Sequence, residues 1–179
     1  EPLVTVTIDG ENVVTLTFTA DANGVANLTF TATDDGELTV TDEVLVTVTE
    51  VNDAPEVVAA IDDLPVDEDS APVVLGDLDD VFGDVDSELS FSFTNDNEPL
   101  VTVTIDGENV VTLTFAENEN GAANITFTAD DGEFQVTDEV LVTVTATNDP
   151  PEVVAAIEDL LVDEDSAPVV LGDLDDVFG

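Results

Sequence analysis

Apolar and threonine side chains alternate with a period of two along most of this chain. Near the start, Val4, Val6 and Ile8 alternate with Thr5 and Thr7. Alternation at this period places one face of a β-strand in a core and leaves the other face exposed. No stretch shows a helical period of useful length. The pattern therefore predicts an all-β protein.

Turn sequences separate the alternating runs. Asp9-Gly10, Asn23-Gly24 and Asp35-Gly36 lie between them, where hairpin turns favour these residue types. Between residues 54 and 148 we predict seven strands: Glu56–Ile61, Pro72–Leu78, Glu88–Thr94, Leu100–Ile105, Val110–Ala116, Ala123–Ala129 and Val136–Thr147. Short strands of this number and spacing predict a Greek-key β-sandwich of the immunoglobulin-like class.

The inward phase of the predicted strands defines a core. The predicted core residues are Val101, Val103, Ile105, Val111, Leu113, Phe115, Ile125, Phe127, Val140, Val142 and Val144, with Phe82, Phe91 and Phe93 closing the ends. Threonine on the opposite phase gives an uncharged, β-branched sheet surface.

The chain contains a long internal repeat. Glu56–Gly83 returns as Glu152–Gly179, 96 residues later, with two differences in 28 positions: Asp62 against Glu158 and Pro65 against Leu161. Glu1–Phe18 returns unchanged as Glu98–Phe115, 97 residues later. A repeat of this length fits one sandwich module rather than a solenoid unit. We predict the C-terminal part of a module at 1–53, a complete module at 54–148 and the N-terminal part of the next at 149–179.

The two partial modules have complementary contents. Residues 1–53 hold the later strands of the repeat and 149–179 hold its first strands, while Asp84–Asn97 occurs once. Two interpretations follow. Either the chain is an excerpt of a longer repeat array, or the C-terminal strands of one copy complete the N-terminal half-module of another by donor-strand addition, giving an open head-to-tail filament.

The charge of the chain is entirely negative. Forty-four Asp and Glu residues face no Lys, Arg or His, so side-chain salt bridges are impossible and only cations from solution can neutralise the chain. This composition argues against binding to nucleic acid or to an anionic membrane surface. The apolar content of 43% still suffices for a core. No apolar run is long enough for a membrane span.

Oxygen ligands cluster at the predicted turns. The clusters are Asn52-Asp53, Asp67–Asp69, Asp77–Asp80, Asp84-Val85-Asp86, Asn95–Asn97 and Asp130-Asp131. Calcium takes six to eight such oxygens in irregular geometry, and loops at one end of a sandwich suit it. We predict a calcium site at the group formed by Asp84, Asp86 and Asp130. We interpret Asp77–Asp80 as a solvated acidic turn.

The chain contains few of the residue types that enzymes use for catalysis. His, Cys, Lys and Tyr are absent, and a pair of carboxylates would need a concave, partly desolvated site to serve as acid and base. A thin sandwich with open loops predicts no such site, so we expect no enzyme activity.

Several segments together resemble a known family. The segments are VNDAP at Val51–Pro55, VDEDSAPVVLGDLDDVFGDVDSELSFSF, GENVVTLTF, NGAANITFTADDGE and VTDEVLVTVTATND. In combination they resemble bacterial cadherin-like repeats of the dystroglycan type, relatives of VCBS tandem repeats. The resemblance implies extracellular, immunoglobulin-like modules of large secreted adhesins, which bind calcium at module junctions and form stiff rods.

The resemblance also assigns site residues. Asn52 and Asp53 resemble the cadherin linker Asn-Asp, and Asp84 and Asp86 resemble its Asp-x-Asp. Glu68 resembles the acidic residue near the first strand, and Asp130 or Asp131 the later Asp before Gly. Because the chain has no Arg, it has no Leu-Asp-Arg-Glu equivalent, so we expect one or two calcium ions per junction.

The resulting functional prediction is a structural and adhesive repeat region of a bacterial extracellular adhesin or surface filament. Its expected partners are neighbouring modules or copies of itself, and cell-surface or extracellular polysaccharide. Two alternatives remain. One is a carbohydrate-binding accessory module of a secreted multimodular enzyme, which a row of exposed aromatic residues would favour. The other is a passive acidic spacer without a specific ligand.

Overall fold

The computed structural model describes all 179 residues and is built almost entirely of β-strands. The strands are β1 (Val4–Ile8), β2 (Val14–Phe18), β3 (Gly24–Thr33), β4 (Thr39–Val48), β5 (Glu56–Val57), β6 (Leu64–Asp67), β7 (Val73–Asp77), β8 (Phe82–Gly83), β9 (Ser90–Asn95), β10 (Val101–Ile105), β11 (Val110–Phe115), β12 (Gly121–Asp130) and β13 (Gln135–Thr145). One helical turn, α1 (Leu78–Val81), and one 3-10 turn (Leu174–Asp176) complete the structure.

The centre of the chain forms a β-sandwich of two sheets. One sheet has the strand order β6-β13-β12-β9 and the other has the order β10-β11-β7. All pairings in them are antiparallel except β6 with β13, which is parallel. The short strands β5 and β8 pair separately at one side. This is the all-β, immunoglobulin-like sandwich that the sequence predicts.

The core lies between the two sheets and contains sixteen buried apolar residues. Eleven of the predicted core residues are buried, and Ile105, Phe91 and Phe93 pack against the core partly buried. The rings of Phe82 and Phe91 lie 5.9 Å apart. The core also includes residues that the alternation did not predict: Leu78, Val81, Leu100, Ala123 and Ala129. The core prediction is therefore confirmed in most of its members.

The period-two pattern did not predict two elements of the sandwich. Strand β6 contains Pro65, which cannot donate to a ladder, and proline is tolerated there because β6 lies at the edge of its sheet. The helical turn α1 is capped by Asp77, whose Oδ1 accepts from the Asp79 N–H at 3.0 Å. Four residues are too few to show a helical period.

Residues 1–50 form two separate hairpins. Strand β1 pairs with β2, and β3 pairs with β4, in registers that match β10 with β11 and β12 with β13. No third strand joins either hairpin. Side chains in core phase, such as Val14, Phe18 and Val44, are consequently exposed.

Residues 152–179 contain no paired strand beyond one isolated bridge between Val153 and Phe178. The segment is largely exposed, with Val177 its buried residue. No helix anywhere in the structure has the length and hydrophobicity that crossing a membrane requires.

Candidate metal centre

The linker residues Asn52 and Asp53 lie between two acidic loops of the sandwich. The Nδ2 amide of Asn52 donates to Asp131 Oδ2 at 3.0 Å, and its Oδ1 accepts from the Ser87 hydroxyl at 2.9 Å. The backbone N–H of Asp53 donates to Asp86 Oδ2 at 3.2 Å. Three chain segments that are distant in sequence therefore meet at the linker.

The first loop is shaped by Asp84. Its Oδ1 accepts from the N–H groups of Asp86 and Ser87, at 2.9 and 2.8 Å, which folds the loop back on itself. Its Oδ2 is buried without a hydrogen-bond partner. A buried carboxylate oxygen that lacks a partner carries a desolvation cost. Such an atom is suited to ligate a cation.

The second loop follows β12 and is shaped by Asp131. Its Oδ1 accepts from the N–H groups of Glu133 and Phe134, at 2.7 and 2.6 Å, which leaves Oδ2 for Asn52. The loop therefore presents one carboxylate oxygen toward the linker.

The carboxylates at this junction differ in proton affinity. The N–H of Asp86 chiefly holds the pKa of Asp84 below its ordinary value. Burial raises the pKa of Asp86, and the neighbouring Asp84 adds to that rise. The N–H of Phe134 chiefly lowers the pKa of Asp131. Repulsion among Asp53, Asp84, Asp86 and Asp131 raises pKa values within the group. A cation would relieve this repulsion.

A cleft of about 250 Å³ adjoins the linker, and the end of the β3–β4 hairpin contributes to it. Asp21, Asn23 and Glu50 line it together with Asp53 and Asp86. These three oxygen-bearing residues were not among the predicted site residues. Acidic residues are so frequent in this chain that position in the sequence alone does not distinguish them.

Two of the predicted site residues lie outside this junction. Asp130 binds within its own hairpin, where it accepts from the Gly132 N–H at 2.7 Å and from Gln135 Nε2 at 2.6 Å. Glu68 is 7% exposed, and its Oε1 accepts from the Thr147 N–H at 2.6 Å. Thr147 follows β13, whose eleven residues span about 35 Å from the Asp131 loop. Glu68 therefore lies beside the second linker, Asn148-Asp149.

The junction residues fit a calcium site in chemistry, although no three or more carboxylates already surround one point. Carboxylate and amide oxygens are the ligands that calcium prefers, and their number around the ion is flexible. The partnerless Asp84 Oδ2 marks where an ion would satisfy a buried ligand. The side chains at the junction are carboxylates, the Asn52 amide and the Ser87 hydroxyl, all of which carry oxygen atoms.

A family match covers this junction and the sandwich. Residues 52–145 match the bacterial Ig domain family, which is more than half of the chain. The chain belongs to the bacterial Ig domain family. No curated protein matches the sequence.

Solved structures similar to this bacterial Ig protein share its fold at low identity. A protocadherin gamma B7 structure of extracellular cadherin domains 1–4 is 21% identical with a TM-score of 0.54, and the match covers 89% of this chain and 43% of that one. Mouse clustered PcdhgC3 EC1-3 is 19% identical with a TM-score of 0.47, covering 81% and 52%. The protocadherin gamma B7 match supports a cadherin-like arrangement of the Ig fold.

An endo-fucoidan hydrolase, MfFcnA4 of glycoside hydrolase family 107, is also similar, with 21% identity and a TM-score of 0.39. The match covers 83% of this bacterial Ig chain and 23% of the hydrolase. The chain thus spans about a quarter of the length of that enzyme.

The pKa values at the junction predict a stability profile for the calcium-free bacterial Ig protein. As the pH falls from 7, Asp86 should take up a proton first because its folded-state pKa is raised. Neutralising this desolvated charge, and with it the repulsion from Asp84 and Asp53, should increase stability. At lower pH, Asp84 and Asp131, whose pKa values are lowered, should become protonated and the stability they contribute should be lost.

This profile can be measured by urea unfolding in EDTA, followed by circular dichroism from pH 7 to pH 3. Asp86→Asn should remove the part of the initial rise that Asp86 causes. Asp80→Asn, which removes the same charge at an exposed position, should retain the initial rise in stability. Identical profiles for the two variants would rule out this role for Asp86.

Proposed function

We propose that this chain is a repeat region of a bacterial extracellular adhesin or surface filament, in which calcium ions join successive bacterial Ig modules into a stiff rod. The modules would be of the dystroglycan-type, cadherin-like kind that the sequence resembles. Bacterial Ig domains are typically extracellular and non-catalytic, which supports this setting.

The observation that carries the proposal is the meeting of the linker with the two acidic loops. Asn52 and Asp53 hydrogen bond to Asp131 and Asp86, and Asp84 Oδ2 is buried there without a partner. The residues that would hold calcium are Asn52, Asp53, Asp84, Asp86 and Asp131, with Asp21 and Glu50 at the cleft. A bound ion would neutralise charge and fix the angle between the segments on each side of the linker.

The second linker has a related arrangement. Buried Glu68 binds the backbone two residues after β13, immediately before Asn148 and Asp149. We assign Glu68 to that second junction. Asp130 keeps a structural role in its hairpin turn.

The total charge makes a cation requirement physically reasonable. With a formal charge of −44 and no basic side chain, every approach of two loops brings like charges together. Only ions from solution can offset that repulsion. A junction that binds calcium would therefore stabilise the module and the rod together.

The carbohydrate-binding alternative would need a row of exposed aromatic side chains on the complete module. Within residues 54–148, Phe134 is the exposed phenylalanine, while the others are buried or partly buried. One exposed ring does not form a platform for a sugar chain. The adhesive rod remains the function that the geometry favours.

Calcium binding can be tested by thermal unfolding. We expect calcium chloride to raise the melting temperature strongly and EDTA to lower it, since a ligand that binds only the folded state stabilises it by about 2.7 kcal/mol at 100 times its Kd. Sodium chloride at equal ionic strength should have a smaller effect.

The paired control uses two charge-matched variants. Asp84→Asn with Asp86→Asn should lose most of the calcium-specific shift, whereas Asp79→Asn with Asp80→Asn, in an exposed acidic turn, should retain it. Equal shifts with calcium and sodium in the wild-type protein would show simple charge screening and would contradict the calcium site.

A further inference from the structure

A groove lies on one side of the central module, between two parts of the chain. One wall is the whole of β7 (Val73–Asp77), and the other is the segment 59–64, which leads from β5 into β6. The cavity between these walls has a volume of about 460 Å³. We call it the lateral groove. Because all five residues of β7 line it, the groove is about as long as that strand, roughly 17 Å.

The backbones of the two walls are not joined across the lateral groove. Strand β7 is the last strand of the β10-β11-β7 sheet, so one of its edges has no neighbouring strand. No backbone hydrogen bond connects the segment 59–64 with β7. The free edge of a sheet presents N–H and C=O groups to which another extended chain can add. The lateral groove therefore contains an available strand edge.

The wall opposite β7 is fixed in position by β13. The Ile61 N–H donates to Asp138 Oδ2 at 2.8 Å, and the Leu141 N–H donates to Asp63 Oδ1 at 2.9 Å. These contacts tie both the backbone and a side chain of the wall to the four-stranded sheet. The groove is therefore formed before any partner binds, and a preformed site lowers the entropy cost of binding.

The lateral groove lies away from both module junctions. Its tethers, Asp138 and Leu141, are the fourth and seventh of the eleven residues of β13. The Asp131 loop, which contacts the first linker, precedes β13, and Thr147, which leads into the second linker, follows it. Adjacent modules are attached through these linkers at the two ends of the sandwich. The groove at mid-height is therefore separate from the surfaces at which the modules meet.

The groove combines an apolar floor with an acidic rim. The floor side chains are partly buried against the core, and they are Ile61, Leu64, Val73 and Leu75. Four carboxylates surround the floor, of which three are exposed and that of Asp77 is half-buried; the exposed ones are Asp62, Asp63 and Asp80. An apolar surface with charges of one sign around it is suited to a ligand that is apolar at its centre and carries the opposite charge.

The acidic rim determines which kind of chain can add to β7. Charged side chains beside a free edge keep like-charged strands away, which is one way that proteins protect sheet edges. The chain has no Lys, Arg or His, so neither a neighbouring module nor a second copy can bring positive side chains to the rim. A segment that carries Lys or Arg would be attracted at the same positions. Repulsion of one class of partner and attraction of another together give specificity.

We propose that the lateral groove binds an extended, cationic segment of a partner protein, which adds as a strand to the free edge of β7. Side chains of an extended segment alternate between two faces, so apolar residues can cover the floor while Lys or Arg residues reach the rim. A segment of about five residues matches the length of β7.

The proposal goes beyond a structural rod, because it gives each module a lateral attachment point. Of the thirteen residues that line the groove, only Asp62 is replaced in the repeat 96 residues later, where Glu158 keeps the charge. Successive modules therefore carry the same groove chemistry. Several weak contacts along one rod would strengthen one another when the partner is also repeated or multivalent.

The experiment is an NMR titration of the nitrogen-labelled full chain, which at 18.7 kDa allows each backbone amide to be followed. The probe is the synthetic peptide Lys-Val-Lys-Val-Lys-Val-Lys, in EDTA and about 0.15 M sodium chloride, where the Debye length is about 8 Å. We expect saturable shifts of the Val73–Asp77 amides. Calcium is absent, so the outcome is independent of the calcium site.

Two further peptides separate strand addition from general attraction to an acidic protein. One has the same residues in grouped order, Val-Val-Val-Lys-Lys-Lys-Lys, and should bind more weakly because its apolar and charged side chains do not alternate. The other replaces every Lys by Glu and should cause no shifts at β7, because the rim repels it.

A rim variant tests the role of the carboxylates. Asp62→Asn with Asp80→Asn should raise the Kd for the alternating peptide by about 2- to 30-fold, the factor for two exposed ion pairs. Glu98→Gln with Glu119→Gln removes the same charge at exposed positions outside the groove and should bind like wild type. The spectrum of each variant also shows whether its sandwich is folded.

Backbone methylation tests the pairing with β7. In one version of the alternating peptide the Val nitrogens are methylated, and in the other the internal Lys nitrogens are. Alternate N–H groups of an added strand point toward its neighbour, so one version should lose binding and the other should keep it. The same effect of both methylations, equal binding of the alternating and grouped peptides, or a rim variant that binds like its control would overturn the proposal.

Discussion

Leu78→Ala is expected to lower the free energy of unfolding of the central module by roughly 2–5 kcal/mol, the range for a buried leucine that leaves a cavity. The same substitution at Leu174 should change it by less than about 0.5 kcal/mol, as at most surface positions. The two leucines occupy identical sequence surroundings, LGDLDDVFG, and differ in exposure, 0% against 59%. The repeat thus separates the effect of packing from that of local sequence.

Urea unfolding monitored by far-ultraviolet circular dichroism measures this difference, because the chain has no Trp or Tyr for fluorescence. The measurement should be made at low protein concentration, so that contact between copies does not bury Leu174. Val170→Ala, at an exposed position of the same segment, is the control. Equal destabilisation by Leu78→Ala and Leu174→Ala would show that the exposed segment is packed in solution.

The period-two alternation predicted the sandwich and most of its core because the buried face of each strand carries Val, Ile, Leu or Phe without interruption. The prediction was weaker where the signal was short. The parallel strand β6 has four residues and contains proline, and its pairing with β13 depends on contacts almost 80 residues apart. A local pattern cannot contain that information.

The sequence shows which turns are rich in carboxylates, but not which of these carboxylates meet in space. Asp130 and Asp131 are adjacent, and the structure directs Asp131 to the linker and Asp130 to its own turn. Glu68, which resembles the acidic residue near the first strand of a cadherin-like module, accepts from the Thr147 N–H near the other end of β13. Which carboxylates meet is determined by the topology of the sandwich, and in a chain with 44 acidic residues the spacing of acids is a weak guide.

Burial in residues 1–50 and 152–179 was not determined by sequence alone either. Val14 and Val111 lie in identical stretches, yet one is exposed and the other fully buried. The difference arises because the sheet that contains β11 packs against the β6-β13-β12-β9 sheet, while β1 and β2 form a separate two-stranded sheet. Core phase in a strand therefore predicts which face is apolar, and a partner sheet decides whether that face is covered.

Asp84→Ala with Asp86→Ala is expected to free the hairpins of residues 1–50 from the central module in the presence of calcium. The variant would lose the hydrogen bond from the Asp53 N–H to Asp86 and the two backbone hydrogen bonds by which Asp84 folds its loop. Asn52 would keep its hydrogen bond to Asp131. The core of the module does not include either aspartate, so the sandwich should stay folded.

Small-angle X-ray scattering measures the result. The ten-residue strands β3 and β4 span about 33 Å, so swinging about the linker should shorten the maximum dimension by a substantial part of that length. The control, Asp79→Ala with Asp80→Ala, removes the same charge from an exposed turn and should scatter like wild type. Wild type in EDTA should resemble the Asp84/Asp86 variant in calcium. If the variant keeps the wild-type profile in calcium, the angle at the junction is set by the backbone of residues 49–55 and not by these carboxylates.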